Sequence, residues 1–287
     1  MKILIIGGTG FIGRHLKEYF LKTTDFNILT PTRKELYLVE FSSCYEYLKT
    51  NQPDIVIHSA VNINSVEDSI AMFFNIIRCH SFFGKFLNLG SGAEYNPTIY
   101  TPKMTEEKSL VSYPDKGYSL SKFVQGREIE YGPLNNLTNI RLFGVYGEYE
   151  DFSRRFISNN ICRVLSGLKI SMNKDMNFDY LYINDLCSII KTIILKNDLK
   201  YKTYNVCSGN PTSLIELAKI IKKVMNVEEE IVVKNSGKNP EYSGNSSKIQ
   251  KEIGQFNLTP HIESITKMVK YFENEYDINP NMKIIEN

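Results

Sequence analysis

Gly7-Gly8-Thr9-Gly10-Phe11-Ile12-Gly13 follows directly on Lys2-Ile3-Leu4-Ile5-Ile6, and the reading of this stretch decides the fold. The β-branched run predicts a buried strand, the glycines a tight turn at its end, and the following amphipathic segment a helix. Gly7 permits the turn, Gly10 lets a pyrophosphate approach the backbone, and Gly13 lets the helix pack on the strand. The helix N-terminus adds unpaired N–H groups and a partial positive charge. Glycine spacing alone is a weak signal, but the order strand, turn, helix marks a dinucleotide-binding turn, with Thr9, Phe11 and Ile12 also placed at the cofactor.

Outward from this turn the same rhythm repeats. Strands are predicted at residues 2–6, 27–30, 54–58, 85–89 and 138–142, with helices between them at 11–22, 43–50, 66–83 and 118–131. Such alternation specifies an α/β fold, a Rossmann-type doubly wound parallel sheet. After Gly147 the rhythm changes to a helix at 153–167, short strands at 169–172 and 179–183, a helix at 185–196, a strand at 203–206, a helix at 213–225, a strand at 230–233 and two C-terminal helices. Residues 1–150, with returning elements around 178–206, read as an NAD(P)-binding domain, and 151–287 mainly as a smaller C-terminal substrate-binding lobe. The turn-rich residues 234–247 are expected to form a mobile loop.

A chain of 287 residues can bury a core without disulfides or metals. Its 34 basic and 32 acidic residues, a net +2, leave no electrostatic footprint for nucleic acid or an anionic membrane, so small molecules or a second copy are the expected partners. Five scattered cysteines (Cys44, Cys79, Cys162, Cys187, Cys207) read as buried free thiols of a reducing cytoplasm, with no metal-ligand spacing. The apolar start is too short for a signal peptide, and no stretch approaches the ~20 apolar residues that span a bilayer. A soluble cytoplasmic protein is expected.

The second strand exits through Thr30-Pro31-Thr32-Arg33-Lys34, which has no carboxylate for a ribose 2′-hydroxyl but two cations for a 2′-phosphate. NADP(H) is therefore favoured through Arg33, with NAD(H) possible and Arg14 a second candidate phosphate partner. In Tyr118-Ser119-Leu120-Ser121-Lys122 the i,i+4 spacing sets phenol and ammonium on one helix face, about 5–6 Å apart at Cβ. Lys122 and an oxidised nicotinamide are expected to draw Tyr118 from ~10 toward neutrality, as a general acid for a carbonyl requires. Gly90-Ser91-Gly92-Ala93-Glu94-Tyr95 ends the fourth strand and delivers the Ser91 hydroxyl, with Gly92 and Ala93, to the carboxyl edge of the sheet, where ligands bind.

Together these residues resemble the extended short-chain dehydrogenase/reductase family that modifies nucleotide-linked sugars. The family's glycine motif is matched at Gly7, Gly10 and Gly13, and its catalytic Ser/Thr, Tyr and Lys at Ser91, Tyr118 and Lys122. The resemblance further implies cofactor contacts at Ser59 and Ala60 after the third strand, at Asn75, at Leu89, and at Phe143 and Val145 within Arg141-Leu142-Phe143-Gly144-Val145-Tyr146-Gly147. The 4,6-dehydratases of the family carry an Asp-Glu pair where Gly92 and Ala93 stand, which leaves Glu94 as the one carboxylate that could act from a shifted position. Thr32-Arg33-Lys34-Glu35-Leu36 resembles the second-strand exit of GDP-fucose synthases, whose ring-epimerising cysteine and histidine are absent here. The resemblance thus implies an NADPH-dependent 4-ketoreductase of a nucleotide-linked, 6-deoxy sugar in polysaccharide or glycoconjugate precursor synthesis. A 4-epimerase that retains its NAD, a 4-dehydrogenase and a cofactor-sensing regulator are the alternatives. Phe178 replaces a phosphate-binding arginine of the family, so Arg154 and Arg155 are the candidate substitutes. The family's dimer seam points to a homodimer through the helices at 66–83 and 118–131, by way of Phe73, Phe74, Ile77 and Phe123.

Overall fold

The computed structural model describes residues 1–196, 198–278, 282 and 284. Its first half runs β1 (Lys2–Ile6), α1 (Phe11–Thr23), β2 (Asn27–Leu29), α2 (Phe41–Asn51), β3 (Ile55–His58), α3 (Val66–Ile77), β4 (Lys85–Ser91), α4 (Gly117–Tyr131) and β5 (Leu137–Leu142). There follow β6 (Gly144–Tyr146), α5 (Phe156–Leu165), β7 (Ser171–Met172), β8 (Asn177–Phe178), β9 (Tyr180–Tyr182), α6 (Ile183–Leu195) and β10 (Thr203–Val206). The chain ends in β11 (Thr212–Ser213), α7 (Leu214–Val224), β12 (Val232–Val233), α8 (Ser247–Ile253) and α9 (His261–Ile278).

Six strands form the central sheet in the order β10-β5-β4-β3-β1-β2, all parallel. The order reverses direction between β1 and β3, so their carboxyl ends flank a topological switch point, where such sheets open a crevice for ligands. Parallel strands are buried on both faces, and β1 shows why an unbroken apolar run is needed. Ile3 and Ile5 join the core shared with α1 and α6, while Leu4 and Ile6 join the core under α2, α3 and α4. β10 returns from the second half of the chain to pair with β5 at the sheet edge.

Several local expectations need correction. α3 stops at Ile77, because a short 3-10 turn at His80–Phe82 breaks the apolar run that suggested a longer helix, and Phe83 packs against Phe86 instead. Phe73 and Ile77 lie inside the core, so neither can form a seam between copies; Phe74 and Phe123 stay partly exposed. α5 begins at Phe156, which leaves Arg154 and Arg155 ahead of it. The 234–247 stretch is pinned: Tyr242 bridges to Phe178 and Gly244 to Met104. All five cysteines are buried free thiols. Among the described residues no helix is long and apolar enough to cross a membrane.

Candidate active site

The glycine turn sits at the switch point. Gly7 adopts φ +83°, and its carbonyl accepts from the Gly10 N–H at 3.0 Å. A Cβ at Gly13 would drive into that same carbonyl, so helix and strand can approach this closely only through glycine. Ser59 braces the turn from β3, its hydroxyl donating to the Ile6 carbonyl at 2.6 Å, with Ala60 beside Gly7. In front opens a cleft of about 510 Å³ lined by Gly7, Thr9, Arg33, Leu38, Asn62 and Met72, among others. A backbone cradle at a helix N-terminus with Arg33 across the cleft fits the pyrophosphate and ribose of a dinucleotide. Glu35, one residue past the cations, is occupied by the Thr32 N–H and hydroxyl at 2.8 and 2.9 Å.

Two expected cofactor contacts are turned elsewhere. The Asn75 side chain donates to the Leu38 and Val39 carbonyls at 3.0 and 2.8 Å, so it supports the wall of the cleft from behind. Arg14 stacks over the Tyr149 ring at 3.6 Å and pairs with Glu18.

α4 brings the chemical pair to the carboxyl ends of β4 and β5. Lys122 is buried and its ammonium donates to the Leu89 carbonyl at 2.8 Å, 6.0 Å from the Tyr118 ring centre. Burial draws Lys122 down to about 8, against the opposing pull of Glu94. Burial likewise raises the half-buried Tyr118 phenol, with the Ser91 side chain and Arg155 acting the other way. The fall toward neutrality expected from sequence is therefore absent in the chain itself. Ser91 accepts from the Ala93 N–H at 3.1 Å in a turn that its own side chain caps.

Glu94 is fully buried beneath this turn. It accepts from the Ser91 N–H at 3.0 Å, from Asn139 at 3.1 Å through both oxygens, and from Arg141 Nε at 2.6 Å. Arg141, itself buried, also donates to the Glu106 carbonyl and Ser109 hydroxyl. These contacts commit the Glu94 carboxylate to fixing the Ser91 turn. Gly90 and Gly126 make room for it: a Cβ at either would meet its carboxylate.

Phe143, Phe178, Tyr100 and Tyr242 form an aromatic wall over Ser91, with ring centres 4.8–5.4 Å from Tyr242. Phe178 also packs on Tyr180 at 4.6 Å. Val145 is half-buried on β6. Arg155 is exposed and acts electrostatically on Tyr118, whereas Arg154 is exposed and paired with Asp151 at 3.6 Å. Tyr242 is the residue that sequence reading missed, since a lone tyrosine among turn residues carries no periodic signal. Among the described residues no cluster of three or more His, Cys, Asp or Glu could hold a metal ion.

A doubly wound sheet, a glycine cradle at its switch point and a Ser-Tyr-Lys set beside it define an NAD(P)-dependent enzyme of the short-chain dehydrogenase type. The chain belongs to the NAD dependent epimerase/dehydratase family, whose model matches residues 3–207, and is a nucleotide-sugar modifying enzyme of the extended short-chain dehydrogenase group. It is similar to GDP-L-colitose synthase of Yersinia pseudotuberculosis, 25% identical over 96% of this chain and 99% of the relative. It is 24% identical to GDP-6-deoxy-D-talose 4-dehydrogenase of Aggregatibacter actinomycetemcomitans, over 88% and 92% of the two chains. Its fold matches a crystal structure of a GDP-L-fucose synthetase from Naegleria fowleri with a TM-score of 0.84 at 19% identity, covering 96% of this chain and 94% of the other.

Proposed function

We propose that the chain catalyses NADPH-dependent reduction of the 4-keto group of a nucleotide-linked 6-deoxy sugar. The observation that carries this reading is the burial of Glu94 against Arg141. With that carboxylate committed, the described residues named around Ser91 present hydroxyls and aromatic rings. They can orient and protonate a carbonyl oxygen, but they offer no carboxylate to move protons at neighbouring ring carbons as dehydration demands.

The bound cofactor would supply the hydride. Ser91 would orient the carbonyl, Tyr118 would give it a proton, and Lys122 would hold the ribose and steady the resulting phenolate. Arg33 would meet a 2′-phosphate, and Arg155 the diphosphate of the substrate. Both curated relatives carry GDP-linked sugars in their names, which makes guanosine diphosphate the nucleotide to test first. Pairing of two copies through α3 and α4 stays part of the proposal, now resting on Phe74 and Phe123.

The test is consumption of NADPH and of NADH against a panel of nucleotide-linked 4-keto sugars. Stoichiometric NADPH oxidation with formation of the 4-hydroxy sugar is expected. Interconversion of two sugars without net consumption would replace the reading with an epimerase, and no turnover with any member would end it.

A further inference from the structure

Tyr242 brings a third hydroxyl to the point where Ser91 and Tyr118 meet. Its backbone is clamped on both sides, the N–H donating to the Asn177 carbonyl at 3.0 Å and the carbonyl accepting from the Asp179 N–H at 2.9 Å. Ser243 fastens the segment to the opposite loop, where its hydroxyl accepts from the Lys103 N–H at 2.7 Å and its carbonyl from Met104 at 3.0 Å. The ring is wedged among Phe143, Phe178 and Tyr100, and the phenol faces the Ser91 side chain. A Cβ at Gly92 would collide with the Tyr242 hydroxyl, so the glycine beside Ser91 is the space this phenol occupies.

A serine hydroxyl has one proton to give and two lone-pair positions. One position on Ser91 is taken by the Ala93 N–H at 3.1 Å. We propose that Tyr242 donates to the other, leaving the single Ser91 proton aimed at Tyr118 and at the carbonyl oxygen bound between them. This rests on the reaction proposed above and makes Tyr242 a positioning residue that acts through Ser91. A free hydroxyl spreads its proton over several staggered directions, whereas one held by two donors is ready for the developing oxyanion without reorganisation.

The test is a double-mutant cycle on the full chain. Tyr242→Phe is expected to lower kcat about five- to tenfold, the worth of one neutral hydrogen bond, with KM for sugar and cofactor changed less than about twofold. In a Ser91→Ala background the same change is expected to cost nothing further. Full activity in Y242F, or an undiminished loss on top of S91A, overturns the assignment. A second readout needs no turnover: ionisation of Tyr118 in the cofactor-free chain, taken as the absorbance difference between each protein and its Tyr118→Phe counterpart. Y242F should shift that ionisation upward, because the Ser91 proton is no longer held on the phenolate; an unmoved or lowered value rejects the role. A wild type that consumes neither NADPH nor NADH with any 4-keto sugar overturns the proposed reaction instead, and the titration then decides Tyr242.

Discussion

Arg141 Nε lies 2.6 Å from Glu94 Oε2, and both side chains are almost wholly removed from solvent. Breaking a buried pair strands the surviving charge, at a cost of about 3–5 kcal/mol. Arg141→Met should therefore lower unfolding free energy by roughly that amount in urea titrations. It should also reduce turnover, because Glu94 holds the Ser91 N–H. The double variant with Glu94→Gln should be less destabilised than the sum of the single changes; strict additivity would show that the pair is not coupled.

Tyr118→Phe keeps the ring and removes the proton. Turnover should fall roughly 10²–10⁴-fold, the usual worth of a general acid, while cofactor affinity by fluorescence titration is retained. Equal loss of binding and turnover would point to misfolding of α4.

Lys122→Met should trade function for stability. The folded value of about 8 lies below the ~10.4 of an unfolded lysine, so the folded state binds fewer protons across that window. The penalty for burying the charge is complete below pH ~8 and fades as pH rises toward ~10.5. Near neutral pH the variant should be roughly 1–3 kcal/mol more stable, allowing for the unpartnered Leu89 carbonyl, with the gain vanishing at high pH. Denaturant curves at several pH values measure it.

Glu150 runs in the opposite sense. Burial pushes its carboxyl up to about 8, with the Ser158 hydroxyl and Arg155 pulling it down. Its folded value exceeds the ~4.3 of an unfolded glutamate, so its contribution is fully present below pH ~4.3 and is lost as pH climbs to about 8. Glu150→Gln should flatten that decline and be more stable by roughly 2–4 kcal/mol above pH ~8. An unchanged pH profile would assign the decline to other groups.

Arg33→Ala tests cofactor choice. If Arg33 meets a 2′-phosphate, KM for NADPH should rise about 10–100-fold, the value of a charge-assisted hydrogen bond, while KM for NADH barely moves. Parallel rises for both cofactors would remove Arg33 from the discrimination.

What could be read in the sequence was what depends on neighbours in the chain. The β-branched run before Gly7, the glycines of the turn and the four-residue spacing from Tyr118 to Lys122 are local, and the structure places them together at one sheet edge. Arg141 carries a further legible signal: a charged residue between Ile140 and Leu142 in a strand that must be buried calls for a buried counter-ion. Register then decides which one, since Arg141 sits opposite Gly90 and so over Glu94. Tyr242 had no such signal. It reaches Ser91 only because its segment is clamped between residues 177–179 and 103–104, contacts far apart along the chain. Phe73 and Ile77 failed as seam residues for a related reason: periodicity marks an apolar helix, but packing chooses which face turns inward.

The late return of β10 to the sheet sets an order of assembly. While residues 143–202 are being synthesised, the outer edge of β5 has no partner, and its backbone N–H and C=O groups are open to any extended segment nearby. Closure waits on a contact of long sequence separation, which makes it slow relative to the helices that form around it. A chain truncated before Thr203 should therefore be prone to strand-to-strand association, and a nascent chain long enough to carry residues 203–206 clear of the ribosome should not.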